Sequence, residues 1–233
     1  MIPRFIFDMD GTLTDSGSKI DPSFAEVFKH FCYDNYCYVV SGAKYNQIRW
    51  QLGDEICNNI DGIFSCAGNE HWIEGKLISK NTWTPSPYLI AVLANFLAIS
   101  GYPHKNGKHF DFRNGMFNFS VGGQNTNPSD RKIYIDWDNY SEERLAIVNR
   151  VTSNFPDIDC VVAGDTGVDI YPVGKDKSQI LENFFDQETI FFGDSISNYG
   201  NDFEIAKYCD VVYEVASWQE TNLTLIANYF NVQ

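Results

Sequence analysis

Positive charge is scarce in this chain: 17 lysines and arginines stand against 31 acidic residues, giving a net charge of -14, and no basic run forms a stripe. That balance argues against a nucleic-acid duplex or an anionic membrane surface as partner. The six cysteines (32, 37, 57, 66, 160 and 209) include no C-x-x-C pair and have no histidine companion at zinc spacing. Free thiols in a reducing cytosol are the expectation. Long apolar runs are missing too. No segment approaches the about 20 residues of a membrane span, and the run near the N-terminus is too short for a signal peptide. The expected location is therefore cytoplasmic. Asn118 and Asn222 open glycosylation patterns that mean little without a secretory signal.

What is present is a chain built to fold. At 233 residues, 44% hydrophobic and 15% aromatic, it can bury a full core in one large or two small domains. Three short apolar runs, RFIF (4–7), CYVV (37–40) and TIFF (189–192), read as buried strands, each followed by Asp, Ser or Gly and then a helical segment. That order is the mark of a parallel sheet with crossover helices, whose ligands bind beyond the carboxyl ends of the strands. The middle reads differently. Segments 86–100 and 141–155 have helical periodicity, the second with Ser141 expected as its cap, and each precedes a strand pair, hinged at Asn114-Gly115 and at 164–167. The reading is helix–strand–strand twice: an α+β unit with an antiparallel sheet and two helices, inserted into the parallel one. Candidate hinges at 80–84 and 172–175 divide a core (1–80 and 175–233) from an insert (81–174).

The stretch DMDGT (8–12) ends the first strand with two carboxylates two residues apart. Like charges held together call for a cation; Mg²⁺ suits hard oxygen ligands, and it attracts phosphate. A calcium loop would want a third acid where Thr12 stands and a glutamate where Lys19 stands. With DMDGTLT, Ser41, Lys177 and GDSISNYGND together, the chain resembles the haloacid dehalogenase (HAD) phosphotransferases. Through QLG (51–53), FRNGMFNFS (112–120), VDIYP (168–172) and KDK (175–177) it is similar, more narrowly, to the eukaryotic-type phosphomannomutases.

The resemblance implies an α/β fold, a Rossmann-like core under a C2-type cap, and roles for individual residues. Asp8 would attack phosphorus to form an aspartyl phosphate, and Asp10 would protonate and deprotonate the sugar hydroxyls. The backbone N–H of Thr12 and the hydroxyl of Ser41 would bind phosphoryl oxygens, with Gly42 as a further phosphate contact, and Lys177, rather than its rival Lys175, would neutralise Asp8 and the transferring group. Asp194 would complete the Mg²⁺ site with Asp8 and the backbone carbonyl of Asp10. Asp202 would hold Lys177 or a metal-bound water. In the cap, Arg113 and Arg131 would grip a substrate phosphate, with Asp169, Asn118 and Gln124 as further substrate contacts.

Departures stand beside these matches. The family pattern has Arg where this chain has Gly17 and Gln124, and Ser where it has Gly167, which removes two cationic contacts from the site. The favoured reading is a Mg²⁺-dependent phosphosugar mutase acting on mannose 6-phosphate and mannose 1-phosphate, with a hexose bisphosphate as activator. A hexose-phosphate phosphatase is the alternative. A silent sugar-phosphate sensor is the rival of another class, opposed by the presence of Asp8, Asp10, Lys177 and Asp194. A homodimer through the cap stays open.

Overall fold

The computed structural model describes residues 2–124 and 127–230. Strands β1 (Arg4–Phe7), β2 (Tyr36–Val40), β3 (Gly62–Ser65), β4 (Glu70–Ile73) and β5 (Lys76–Lys80) precede the insert, which carries β6 (Lys108–Arg113), β7 (Met116–Gln124), β8 (Ile158–Ala163) and β9 (Gly167–Pro172). Strands β10 (Thr189–Gly193) and β11 (Val211–Glu214) return to the core. Helices α1 (Pro22–Asp34), α2 (Tyr45–Leu52) and α3 (Asp54–Asn59) belong to the core, α4 (Pro87–Ile99), α5 (Pro128–Ser141) and α6 (Glu143–Asn154) to the insert, and α7 (Phe203–Tyr208) and α8 (Trp218–Tyr229) to the core again.

The core sheet runs β11-β10-β1-β2-β3-β4-β5. From β11 to β3 every pairing is parallel, and β4 and β5 add an antiparallel hairpin at one edge. Successive strand residues alternate faces, so Phe5 and Phe7 join Ile190 and Phe192 in one hydrophobic layer, while Ile6 and Phe191 face the opposite one with Ile180, Phe184 and Ile205. The first layer is closed by α1, whose Phe24, Phe28, Phe31 and Cys32 fall on one helical stripe. Pro22 at the first turn and the Asp21 carboxylate, accepting from the Ser23 and Phe24 amides, start that helix. All six cysteines are free thiols. Among the described residues no helix is long and apolar enough to cross a membrane.

The cap sheet runs β6-β7-β9-β8, antiparallel throughout. Phe117, Phe119, Val121, Val168 and Ile170 pack under the helices. Period-two alternation therefore turns Asn118 and Asp169, paired across β7 and β9, to the other face, toward the core. The cap carries three helices rather than the expected two, and its order is not helix–strand–strand twice. Ser141 ends α5 instead of capping α6. Glu142, in the left-handed region at φ 53°, breaks the chain between the two helices, and the Asp138 carboxylate accepts from the Arg144 amide at 2.8 Å. The chain thus caps α6 from the helix before it.

The cap is closed on the core. Cys66 and Ala67 of the core pack against Met116 and Tyr171 of the cap. The Asn114 side chain donates to Glu70 Oε1 at 2.5 Å, Lys44 Nζ meets Asp111 Oδ1 at 2.8 Å, and the Val162 amide donates to the Tyr199 carbonyl at 3.1 Å.

Candidate active site

The carboxyl ends of β1, β2 and β10 bring Asp8, Ser41 and Asp194 to one cleft of about 450 Å³, roofed by the cap face that carries Arg113, Asn118 and Asp169. Asp8 is buried. One of its carboxylate oxygens accepts from Lys177 Nζ at 2.5 Å, and the same ammonium reaches Asp202 Oδ1 at 2.7 Å. The Asp176 carboxylate, accepting from the Ser178 amide, starts the 3₁₀ segment in which Lys177 stands first. Lys175, the rival, is exposed.

Asp8, Asp194 and Asp202 each offer an oxygen within 4.8 Å of the others. Burial pushes the Asp8 carboxyl well above its ordinary range; Lys177 opposes this, and Asp202 and Asp194 add to it. Asp194, open to the cleft, is pushed up to about 6 by desolvation and then by Asp202. Lys177 is raised: the charges of Asp202 and Asp8 outweigh the cost of its burial. An all-oxygen donor set with excess negative charge fits a divalent cation. Gly11, at φ +89°, lets it close, since a β-carbon there would lie 2.4 Å from Asp194 Oδ2.

Asp10 points elsewhere. Its Oδ1 accepts from the Gly17 amide at 2.8 Å and from Gln51 Nε2 at 2.9 Å, so its side chain stands outside the three-carboxylate cluster and its Oδ2 has no protein partner. Ser41 is buried, and its hydroxyl accepts from the Ala43 amide at 3.1 Å. It caps no helix, because α2 begins only at Tyr45, after Lys44. Gly42 is where cap and core touch: its carbonyl accepts from Arg113, and a β-carbon on it would lie 2.6 Å from Asp169 Oδ2. The Thr12 amide donates to the Met9 carbonyl at 3.3 Å, and its buried hydroxyl has no protein partner.

In the cap, Arg113 is held by Asp111 at 2.8 Å and stands 3.9 Å from Asp169. Arg131 lies farther out, bound to Asp165 at 2.9 Å and to Ser16 of the core at 3.3 Å. Asp169 Oδ1 accepts from Asn118 Nδ2 at 2.8 Å, and Asn118 Oδ1 accepts from Gln124 Nε2 at 2.7 Å.

A description of the eukaryotic phosphomannomutases matches residues 25–231. The chain belongs to the eukaryotic phosphomannomutase family. It is 33% identical to human phosphomannomutase 1 over 231 residues, 93% of this chain and 88% of that one. To the phosphomannomutase of Babesia bovis it is 30% identical over 219 residues, 89% of each. Among solved structures, a HAD subclass IIB sugar phosphatase superposes with a TM-score of 0.59 at 18% identity, over 97% of this chain and 98% of the other. The fold is that of the HAD phosphotransferases, and the protein is an enzyme.

Sequence reasoning passed over four residues of this phosphomannomutase-family site. Gln51 was noted only within its QLG motif, yet it is buried and donates to Asp10 and, at 3.1 Å, to Thr14. Asp111 shares a strand face with Arg113 two residues on, a spacing that alone could have flagged it. Glu70 and Asp165 carry no sequence signal for these roles, because the cap side chains they hold, Asn114 and Arg131, lie far from them along the chain.

Proposed function

We propose that the chain interconverts hexose 6-phosphates and hexose 1-phosphates, mannose phosphates first among them, by passing a phosphoryl group through Asp8. The observation that carries this is the division of labour between two carboxylates opening on one cleft. Asp8 has one oxygen fixed by Lys177 and the other free to attack. Asp10 has one oxygen fixed by Gln51 and Gly17 and the other free to carry a proton.

Mg²⁺, held by Asp8 and Asp194 with Asp202 behind them, would supply positive charge against the phosphoryl oxygens. Lys177 favours the ionised form of Asp8 against the cost of its burial and holds it adjacent to that charge. Asp10 gives its proton to the departing sugar oxygen and takes one from the hydroxyl that later attacks phospho-Asp8. A hexose bisphosphate would start the cycle by phosphorylating Asp8. The cap excludes water while the sugar turns, with Arg131 facing its far end.

One observation favours a second product. Both arginines lining the cleft are already engaged by carboxylates, and seven aspartates line the same space: 8, 10, 15, 111, 165, 169 and 194. A bisphosphate, with nearly two negative charges on each phosphate, is held there against considerable repulsion, which favours phospho-Asp8 beside the monophosphate, the state that water attacks when the cap opens, so some turnovers end in free phosphate. The test is a panel of hexose 1- and 6-phosphates with Mg²⁺, assayed separately for isomerised sugar phosphate and free phosphate. Isomer with a minor share of phosphate is the expected result; phosphate alone would make the enzyme a phosphatase.

A further inference from the structure

Strand β7 does not run straight to its end. Phe119 pairs with Phe110 but Gln124 pairs with Lys108, so five steps of β7 oppose two of β6. The surplus bulges out at Gly122-Gly123, the Gly123 amide donating to the Ser120 hydroxyl at 3.1 Å, and folds Gln124 back over Asn118, six residues earlier. Gly167 keeps the opposite side clear: a β-carbon there would lie 2.6 Å from Asn118 Oδ1.

The chain Asp169–Asn118–Gln124 has only one polarity. A carboxylate can only accept, so Asn118 must turn its NH₂ to Asp169 and its carbonyl oxygen to Gln124, which must answer with its own NH₂. Asn118 is 7% exposed, and these two bonds fix which way its amide faces. Gln124 lines the cleft with what remains, a carbonyl oxygen and one N–H. A phosphate dianion, which only accepts, would meet that carbonyl oxygen unfavourably. A hydroxyl, which donates and accepts, satisfies both.

We propose that Gln124 is a specificity-determining residue that reads a neutral hydroxyl of the sugar, its amide orientation imposed by Asp169 through Asn118. This rests on the sugar-phosphate reading above. The test compares wild type, Gln124→Met and Gln124→Ala on the preferred hexose 6-phosphate and on each of its monodeoxy analogues, with thermal melting to confirm that the variants fold. Wild type is expected to lose about tenfold or more in kcat/KM on one analogue in particular. In both variants that loss should shrink to about twofold or less, while discrimination at the other ring positions persists. Wild-type rates equal on all analogues, or a pattern of discrimination unchanged in the variants, would overturn the proposal and leave the sugar-phosphate reading standing. Absence of turnover on every hexose phosphate would remove that reading and the proposal with it.

Discussion

Asp8 and Asp10 stand two residues apart and are bound by opposite neighbours, the first by a buried ammonium and the second by a neutral amide. That difference suits the roles: Lys177 favours the anionic form of Asp8 that attacks, against the cost of its burial, while Asp10 stands outside that ion pair with one oxygen left open to the cleft. The metal prediction belongs at this scale. Burial raises Asp8, burial and Asp202 raise Asp194 to about 6, and a cation must displace any proton these groups hold. Mg²⁺ affinity, read by isothermal titration, is therefore expected to fall as pH drops through about 6, by up to about tenfold per unit. Asp194→Asn should weaken binding at pH 7 and flatten that dependence. Affinity constant from pH 7.5 to 5 in wild type would show that Asp194 is not a ligand.

The elements that place these residues were legible in the sequence to different degrees. Strands β1, β2 and β10 stood out because each is a short apolar run ending in a polar turn, and Asn114-Gly115 marked the β6–β7 hairpin. Helix α5 was missed although Asn127, Pro128 and Asp130 form a cap signature: Asn127 accepts from the Asp130 amide, and Pro128 occupies the first turn. Its mixed face, RKIYIDWDNY, hid the period. Hairpin β4–β5 was missed because β5 is exposed along its whole length and so lacks the alternation of a half-buried strand. That hairpin matters for the site, since Glu70 at its start holds Asn114 at the tip of β6–β7, one residue past Arg113. Asn114→Ala leaves one oxygen of the buried Glu70 without that partner. The variant should melt about 2–6 °C lower and raise KM several-fold while changing kcat less, as checked by calorimetry and steady-state kinetics. An unchanged KM would mean that the latch does not position the cap.

At the scale of the molecule, a strongly acidic protein holds two domains together through a few local cations. Asp111 sits at their meeting point, accepting from Lys108 and from Lys44 of the core and paired with Arg113. Burial would raise its carboxyl, but the bonds from Lys108 and Lys44 and the Arg113 charge together hold it well below the usual range. With the folded value below the unfolded one, near 4, the unfolded chain binds the proton first as pH falls. Its contribution to stability is thus complete above about pH 4 and is lost below it. Acid unfolding of Asp111→Asn should begin from a lower stability at pH 7 and show a shallower decline below pH 4 than wild type; identical acid profiles would remove Asp111 as a joint between the domains. The central claim, that phosphoryl groups pass through Asp8, is tested most directly by acid-quenching the enzyme during turnover of a hexose phosphate with Mg²⁺ and mapping the phosphorylated peptide by mass spectrometry. The account predicts a phosphoryl group on Asp8 in wild type, and in Asp8→Asn neither label nor turnover with the fold intact. Turnover with no phosphoryl group on Asp8, or sustained activity in Asp8→Asn, would contradict it.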